Sequence, residues 1–541
     1  MKESLRVILW AVLLCAACTG KEEPTGDDPV VRTVRLESST LEIVPGGSAF
    51  LPFTVEDKEA SFLEVKLLLD GGREPEEFFL REIVRGTERG TYQAVIEDAG
   101  LGQNYDRDDV HIAILQRSSS TGNDYYVQSP SFRVFSEANP PGTVYTGLPV
   151  VYVDTQGGQG IYSKEDYVKA SLTIRGTEQY DGLDTVACDI RGRGNTTWYW
   201  PKKPYLIKLD EKQSIFGMPK HKRWILLANF MDRTLMRNLV SMKVASMMSN
   251  LDWTPGCVPV ELVLNGKHVG SYLLIEQVRV DKKRVAVTEM TPEDNVGDAV
   301  TGGYLLELDF HYDNEVQWID PHGHNNQWGD GIPFGVKYPD PEDLTPQQLA
   351  YIQGYISETA NTLYGKDFKD PDKGYAKYID VDSFIDYWIA FEVMGNHELG
   401  NPGSVYMHKD RNGKLVAGPC WDFDWGVLSY NTSSHARTGL VNGNAIWYAR
   451  LRQDPVFNAK LKARFDELLP KLEIIPAYID ECEKLLTKSA ELNFAMWNPA
   501  EDASQNGGYI INGDENMNFH NAVARLKSIY QERLQVIPKN L

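Results

Sequence analysis

Through residues 31–135 apolar and polar positions alternate in short runs, at Thr40 to Val44, Ser48 to Val55, Phe62 to Leu69, Tyr92 to Ile96, His111 to Gln116 and Tyr125 to Val134. A period of two puts one side of each run on a core, and Pro45-Gly46-Gly47 and Asp70-Gly71-Gly72 supply turns between them. The spacing predicts an all-β, immunoglobulin-like sandwich over 31–140, ended by Pro140-Pro141-Gly142. No reactive side chains cluster there, so this segment reads as a spacer or docking module.

From residue 145 to 541 the pattern is mixed. Leu148 to Val153, Ala170 to Ile174, Tyr205 to Leu209, Trp224 to Asn229 and Gly303 to Leu308 read as strands. Val258 to Leu264 and His268 to Ile275 flank Asn265-Gly266, a strong hairpin turn, and Ser404 to His408 and Lys414 to Ala417 flank Asn412-Gly413 in the same way. Asp232 suits the cap of a helix over about 233–249. Thr345-Pro346-Gln347-Gln348 has the form of a capping box with Pro at the first helical position, and Asp382 opens a further helix. Beyond about 455 apolar residues recur at helical spacing, with one stripe at Phe457, Leu461, Phe465 and Leu468 and another at Phe519, Val523, Leu526 and Tyr530. Strands followed by helices predict an α+β fold.

The first residues change the picture. Lys2 and Arg6 flank a short apolar run, Val7 to Cys15, that ends in Ala16-Ala17-Cys18. The run is too short to span a bilayer and reads as a signal segment over 1–17. Cys18 after two alanines resembles a lipobox, whose thiol is acylated, and Lys21-Glu22-Glu23 behind it resembles the surface-export signal of Bacteroidota-type lipoproteins. Residues 18–30 would form a lipidated, flexible tether, so the expectation is an outer-membrane lipoprotein exposed at the cell surface and attached only through lipid. A net charge of −21 argues against nucleic acid as a partner. Cys188, Cys257, Cys420 and Cys482 are widely spaced and form no zinc-binding pattern; they read as buried thiols, with a Cys188–Cys257 disulfide as the alternative.

Three clusters carry candidate chemistry. Gly418-Pro419-Cys420-Trp421-Asp422-Phe423-Asp424-Trp425-Gly426 follows the second hairpin. If the strand runs on into Asp422, alternation places Asp422 and Asp424 on one face, where they suit a hard cation completed by phosphate oxygens. Arg191, Arg193, Lys202, Lys203 and Lys208 surround the turn Gly192-Arg193-Gly194-Asn195 and suit phosphate. Gly395-Asn396-His397-Glu398 ends the helix from Asp382, with Asn as a neutral ligand or cap and Glu as a ligand or base. His311, His322 and His324, near Asp309 and Asp313, read as loop residues.

In this order the motifs resemble the CotH kinase family, named after a spore-coat protein and related in fold to protein kinases. The resemblance rests on Arg193-Gly194-Asn195 with Trp198, Lys202-Lys203-Pro204-Tyr205, Phe216-Gly217-Met218-Pro219, Trp224 to Asn229, Arg237-Asn238, Val260-Glu261 through Asn265-Gly266 to Glu276, and Trp421-Asp422-Phe423-Asp424-Trp425. It covers about residues 148–500. It implies a kinase-like domain in which Lys208 holds ATP phosphates with Arg193 and Lys203 beside it, and Glu276 lies where a hinge meets adenine. It further implies that Asp422 binds Mg or Mn with Asp424 assisting, and that Asn396 and Glu398 form the catalytic pair. Family members often carry Asn-x-Asp where this chain has Asn396-His397-Glu398; the longer Glu can still accept a hydroxyl proton. The implied activity is metal-dependent phosphoryl transfer from ATP to a protein Ser or Thr. The alternative is an inactive kinase-fold lipoprotein that binds surface glycan or protein as a scaffold, with Trp318, Trp328 and Trp447 as stacking candidates if exposed.

Overall fold

The computed structural model describes residues 33–541 apart from 44–46, 57–63, 100–104, 118–123, 137–143, 311–315, 327–328, 430–437 and 500–511. Cys18 and its flanks, the Pro140-Pro141-Gly142 boundary, His311, Asp313 and Trp328 lie outside the described residues. Contacts divide the chain into two compact units, Met1–Asn139 and Pro140–Leu541. Among the described residues no helix is long and apolar enough to cross a membrane.

The first unit contains β1 (Thr33–Leu36), β2 (Thr40–Glu42), β3 (Ser48–Glu56), β4 (Glu64–Leu69), β5 (Phe78–Arg85), β6 (Thr91–Asp98), β7 (Tyr105–Arg117), β8 (Asp124–Gln128) and β9 (Phe132–Ser136). One sheet runs β1-β3-β6-β5 and the other β2-β9-β7-β4, with β8 on β7. Both contribute to one core, including Phe53, Phe78 and Ile96 from the first and Leu67, Ile112 and Val134 from the second. The run from Tyr125 to Val134 is two strands because Ser129-Pro130 intervenes and Pro lacks the N–H a ladder needs. β1 and β5 were not foreseen; β5 buries only its first residue and so shows no clear alternation.

The second unit begins with seven strands: β10 (Val150–Thr155), β11 (Val168–Arg175), β12 (Leu183–Gly192), β13 (Tyr205–Gln213), β14 (His221–Leu227), β15 (Cys257–Leu264) and β16 (Lys267–Glu276). They close into a barrel in the order β10-β11-β12-β13-β14-β16-β15. Closure is the parallel pairing of β10 with β15, Val150 opposite Glu261. Alternation along β13 sends Tyr205, Ile207 and Leu209 into the barrel core and Leu206 into the larger core outside it. Asn265 and Gly266 have φ of 50° and 72° at the β15–β16 turn, the left-handed geometry that Asn-Gly tolerates.

The rest of the unit packs helices on a second sheet, β18 (Gln317–Asn325), β19 (Gly329–Tyr338), β17 (Tyr304–Leu308), β20 (Val405–Lys409) and β21 (Leu415–Ala417), in that spatial order. The β18–β19 hairpin corrects the loop reading of His322 and His324, which sit on β18. Pro321, Pro333 and four glycines within 323–335 mask its strand signal in the sequence. His322 pairs with Asp320 through Nδ1 at 3.1 Å. Trp447 is fully buried and Trp318 stacks on Phe334, so both are core residues rather than sugar platforms.

The helices are α1 (Thr196–Tyr199), α2 (Arg237–Ala245), α3 (Pro346–Tyr364), α4 (Val381–Val393), α5 (Tyr448–Leu451), α6 (Pro455–Leu472), α7 (Ile475–Met496) and α8 (Phe519–Val536). α2 starts later than its sequence pattern suggests because Leu235 takes a φ of 55°; Asp232 still accepts from the backbone N–H groups of Thr234 and Arg237. Asp380, not Asp382, caps α4 by accepting from the Ser383 N–H at 2.8 Å. The capping box of α3 is complete: Thr345 Oγ1 accepts from the Gln348 N–H at 3.2 Å and Gln348 Oε1 from the Thr345 N–H at 3.1 Å. Thr345→Ala should therefore cost about 1 kcal/mol, read as a lower urea midpoint at unchanged slope. Cys188, Cys257, Cys420 and Cys482 are free thiols, with no Cys188–Cys257 bond.

Candidate active site

Between the barrel and the second sheet lies a cavity of about 770 Å³. Leu206, Ile225, Leu227, Val278, Val280, Leu305 and Val336 make one wall apolar. Glu307, Asp309, Glu398, Asp422 and Asp424 give the lining a cluster of carboxylates.

Each carboxylate is placed by a different element. Glu307 lies on β17 and pairs with Lys337 of β19 at 3.0 Å. Asp309 follows β17 and accepts from the Ser404 N–H at 3.2 Å. Glu398 lies in the turn after α4, where its own N–H donates to Asn396 Oδ1 at 2.8 Å. Asp422 and Asp424 do not extend β21, which stops at Ala417; Asp422 instead takes a φ of 61°. They share a face because the loop is held from behind: the Phe423 N–H donates to Asn238 Oδ1 at 2.8 Å, and Asn238 Nδ2 donates to Asp424 Oδ2 at 3.3 Å. Asn396 is fully buried, caps the Glu398 turn, and sends its Nδ2 to the Asp422 carbonyl at 3.5 Å. The residue reaches the site by positioning Glu398 and Asp422, not by lining the cavity.

The basic residues separate into two groups. Arg193 lines the cavity, with its guanidinium 5.7 Å from the Trp421 ring. Gly194, at φ 85°, makes the turn that brings Arg193 there. Arg191 also lines the cavity, and its buried Nε lacks a partner. Lys208 does not line the cavity; it lies beside Tyr167 on the outer face of β13. Lys203 is drawn to the Trp198 carbonyl at 2.8 Å. Lys202 also lines the cavity, but it is buried and its Nζ donates to the carbonyls of Ala228 and Ser271 and to Asn493 Oδ1, which makes it a tie between barrel and α7. Glu276 likewise stands behind the wall, its carboxylate accepting from the Gly256 N–H at 2.9 Å beside Arg284; the cavity wall begins one residue later, at Gln277. Gln277 Oε1 is buried without a partner.

Burial dominates the acidic part, and charge crowding adds to it. Burial, then the charges of Asp422 and Asp232, push Asp424 up to about 8, against the pull of Arg193 and Asn238. Burial also raises Asp422, with Arg193 opposing. Glu398 is raised well above the carboxylate range by burial and then by Asp422, Asp424 and Asp309. Carboxylates held in this way favour a cation among them. Among the described residues no group of three or more His, Cys, Asp or Glu side chains forms a metal cage by itself. An oxygen-only donor set with two carboxylates on one loop suits a hard cation whose remaining positions are filled by water and phosphate.

A pH dependence follows. In the metal-free protein the folded state keeps a proton on Asp424 up to about 8, whereas the unfolded chain releases it near 4. Folding then binds more protons across that window, so metal-free stability should fall as pH rises from about 4 to 8. A cation held by Asp424 would compete with the same proton, so a rise in melting temperature induced by Mg should grow over that window. An equal rise at pH 6 and pH 8.5 in thermal unfolding would contradict it.

The CotH kinase protein family matches the chain over residues 190–537, more than half of its length. No curated protein gives a significant match. The matched span holds the apolar lining residues of the cavity and all five of its acidic residues named above, and the helices beyond 455.

Proposed function

The chain belongs to the CotH kinase protein family, and from that premise we propose that it transfers the γ-phosphoryl group of ATP to a Ser or Thr hydroxyl of a protein, with Mg or Mn as cofactor. The observation that carries this reading is the meeting of apolar side chains and five carboxylates within one cavity, with Arg191 and Arg193 among its lining residues. Adenine fits against Leu206, Leu227 and Leu305, where Gln277 and Val278 offer polar and backbone contacts. Arg193 and Arg191 take phosphate oxygens, a role that Lys208 and Lys203 are poorly placed to fill.

Asp422 and Asp424 hold the divalent ion, which supplies neutralisation of phosphate charge during transfer. Glu398 accepts the proton of the acceptor hydroxyl as that oxygen bonds to the γ-phosphorus. The bond from phosphorus to the bridging oxygen breaks, and ADP leaves with the electron pair. Asn396 keeps Glu398 and the Asp422 backbone in register.

The resemblances at Cys18 and Lys21-Glu22-Glu23 support attachment at the outer-membrane surface by lipid alone. The first unit would then stand as an immunoglobulin-like spacer, and the acceptor would be another surface protein. Purified protein incubated with Mg and γ-labelled ATP tests the reaction. Label on protein Ser or Thr, together with a Mg-dependent thermal shift by ATP, is the expected result. An ATP shift without label transfer would leave a nucleotide-binding scaffold, and neither response would remove the kinase reading.

A further inference from the structure

The loop that carries Asp422 and Asp424 is held on one side by Asn238, and on another by a residue nearly ninety positions further along the chain. Asn512 is 1% exposed and every polar group of it is engaged. Its Oδ1 accepts from the Gly426 N–H at 2.9 Å, and its Nδ2 donates to the carbonyls of Asp424 and Met231, each at 3.2 Å. Its backbone carbonyl accepts from Ser429 Oγ at 2.6 Å, and its N–H donates to Glu515 Oε1 at 2.6 Å. Asp424 and Met231 both line the cavity. One amide group thus ties the acidic loop to the segment that leaves β14.

The segment around Asn512 is fixed in turn. Asp514 pairs with Arg237 at the start of α2, Arg233 Nε donates to the Met517 carbonyl at 2.6 Å, and Arg525 Nη1 donates to the Gly513 carbonyl at 2.6 Å. Arg237 also donates through Nε to the Val427 carbonyl at 2.8 Å. Residues 512–517 therefore brace the acidic loop directly and through Arg237.

We infer that Asn512 is a positioning residue for metal binding: it sets the backbone at Asp424, and so the direction of the Asp424 carboxylate, without touching the ion. The inference rests on the metal role proposed for Asp422 and Asp424. An Asn side chain is required because one acceptor and one two-hydrogen donor must meet three backbone groups at once. A carboxylate lacks the donor, and an aliphatic group would remove all three contacts at once. Groups that orient a metal ligand from outside its shell alter metal affinity by about 10- to 100-fold when removed.

The test is Mn²⁺ binding by electron paramagnetic resonance on the whole protein, with and without ATP, for wild type, Asn512→Leu, Asn512→Asp and Asp424→Asn. Leu526→Ala, a core substitution on α8, controls for loss of stability alone. The expected result is an Mn²⁺ Kd raised about tenfold in Asn512→Leu and an altered Mn²⁺ line shape, with ATP affinity in the absence of metal unchanged. Leu526→Ala should lower the melting temperature and leave Mn²⁺ affinity alone. Should Asn512→Leu fail to fold, Asn512→Asp preserves size and the Gly426 contact, and should still weaken Mn²⁺. Wild-type Mn²⁺ affinity in the folded Asn512 variants, with binding lost in Asp424→Asn, would overturn the inference and leave the metal site standing. Mn²⁺ affinity unchanged in Asp424→Asn would overturn the metal reading itself and the inference with it.

Discussion

Glu398→Gln should retain Mg-dependent ATP binding and lose about 10³-fold in phosphoryl transfer, whereas Asp422→Asn should lose both. The split follows from where the two side chains stand. Asp422 shares a loop with Asp424, and burial raises both, so a cation between them would take the place of the proton. Glu398 enters from the α4 side on a separate capped turn, close enough to feel both aspartates and Asp309. Replacing its carboxylate with an amide removes the proton acceptor but keeps the shape and the Asn396 cap. ATP binding by thermal shift and label transfer by γ-labelled ATP separate the two effects. Equal transfer by Glu398→Gln and wild type would remove Glu398 from the chemistry.

Arg237→Met should destabilise the second unit by about 3–5 kcal/mol, the cost of leaving buried charges without their partner. Arg237 is 1% exposed and lies between Asp232 and Asp514, each at 2.5 Å. Burial already raises Asp514, and Arg237 is what opposes that shift. Without the guanidinium Asp514 would favour its protonated form, so the loss should shrink as pH falls toward 5. Adding Asp232→Asn and Asp514→Asn to Arg237→Met should recover part of the loss, because the uncompensated charges are then gone. Urea unfolding at pH 5 and pH 8 measures all of this; a loss below about 1 kcal/mol for Arg237→Met would show that the triad is not charged as drawn.

What could be read in the sequence was local chemistry. Asn265-Gly266, Asn412-Gly413 and the Thr345–Gln348 box act through neighbours within a few residues, and each appears where its type predicts. The Asp422/Asp424 pair was also visible, although for a different reason than strand alternation: a φ of 61° at Asp422 and the Asn238 contacts aim the side chains. Lys208 shows the limit of such reasoning. A lysine on a strand near a glycine turn has the right chemistry, but Lys208 lies beside Tyr167 and does not line the cavity, whereas Arg191, over the same ring, and Arg193 do. Glu307 and Asn512 were not singled out, Asp309 was noted only as a neighbour of loop histidines and Asn238 only within the Arg237-Asn238 motif, because the contacts that bring them to the site are made with residues distant in the chain. The β18–β19 hairpin was hidden by its own prolines and glycines.

The parallel seam between β10 and β15 has a bearing on how the chain assembles. Val150 meets Glu261 across that seam, and β16 must join β14 to β15, so the ring stays open until residues as far as Glu276 have been made. Until then β10 offers one unpaired edge, and the β14 edge also waits for β16. Joining ends so far apart in the chain is entropically slow, and it makes closure a late step compared with the local hairpins. Synthesis of this protein therefore includes an interval in which a half-built ring exposes strand edges, and a holding chaperone would have most to do in that interval.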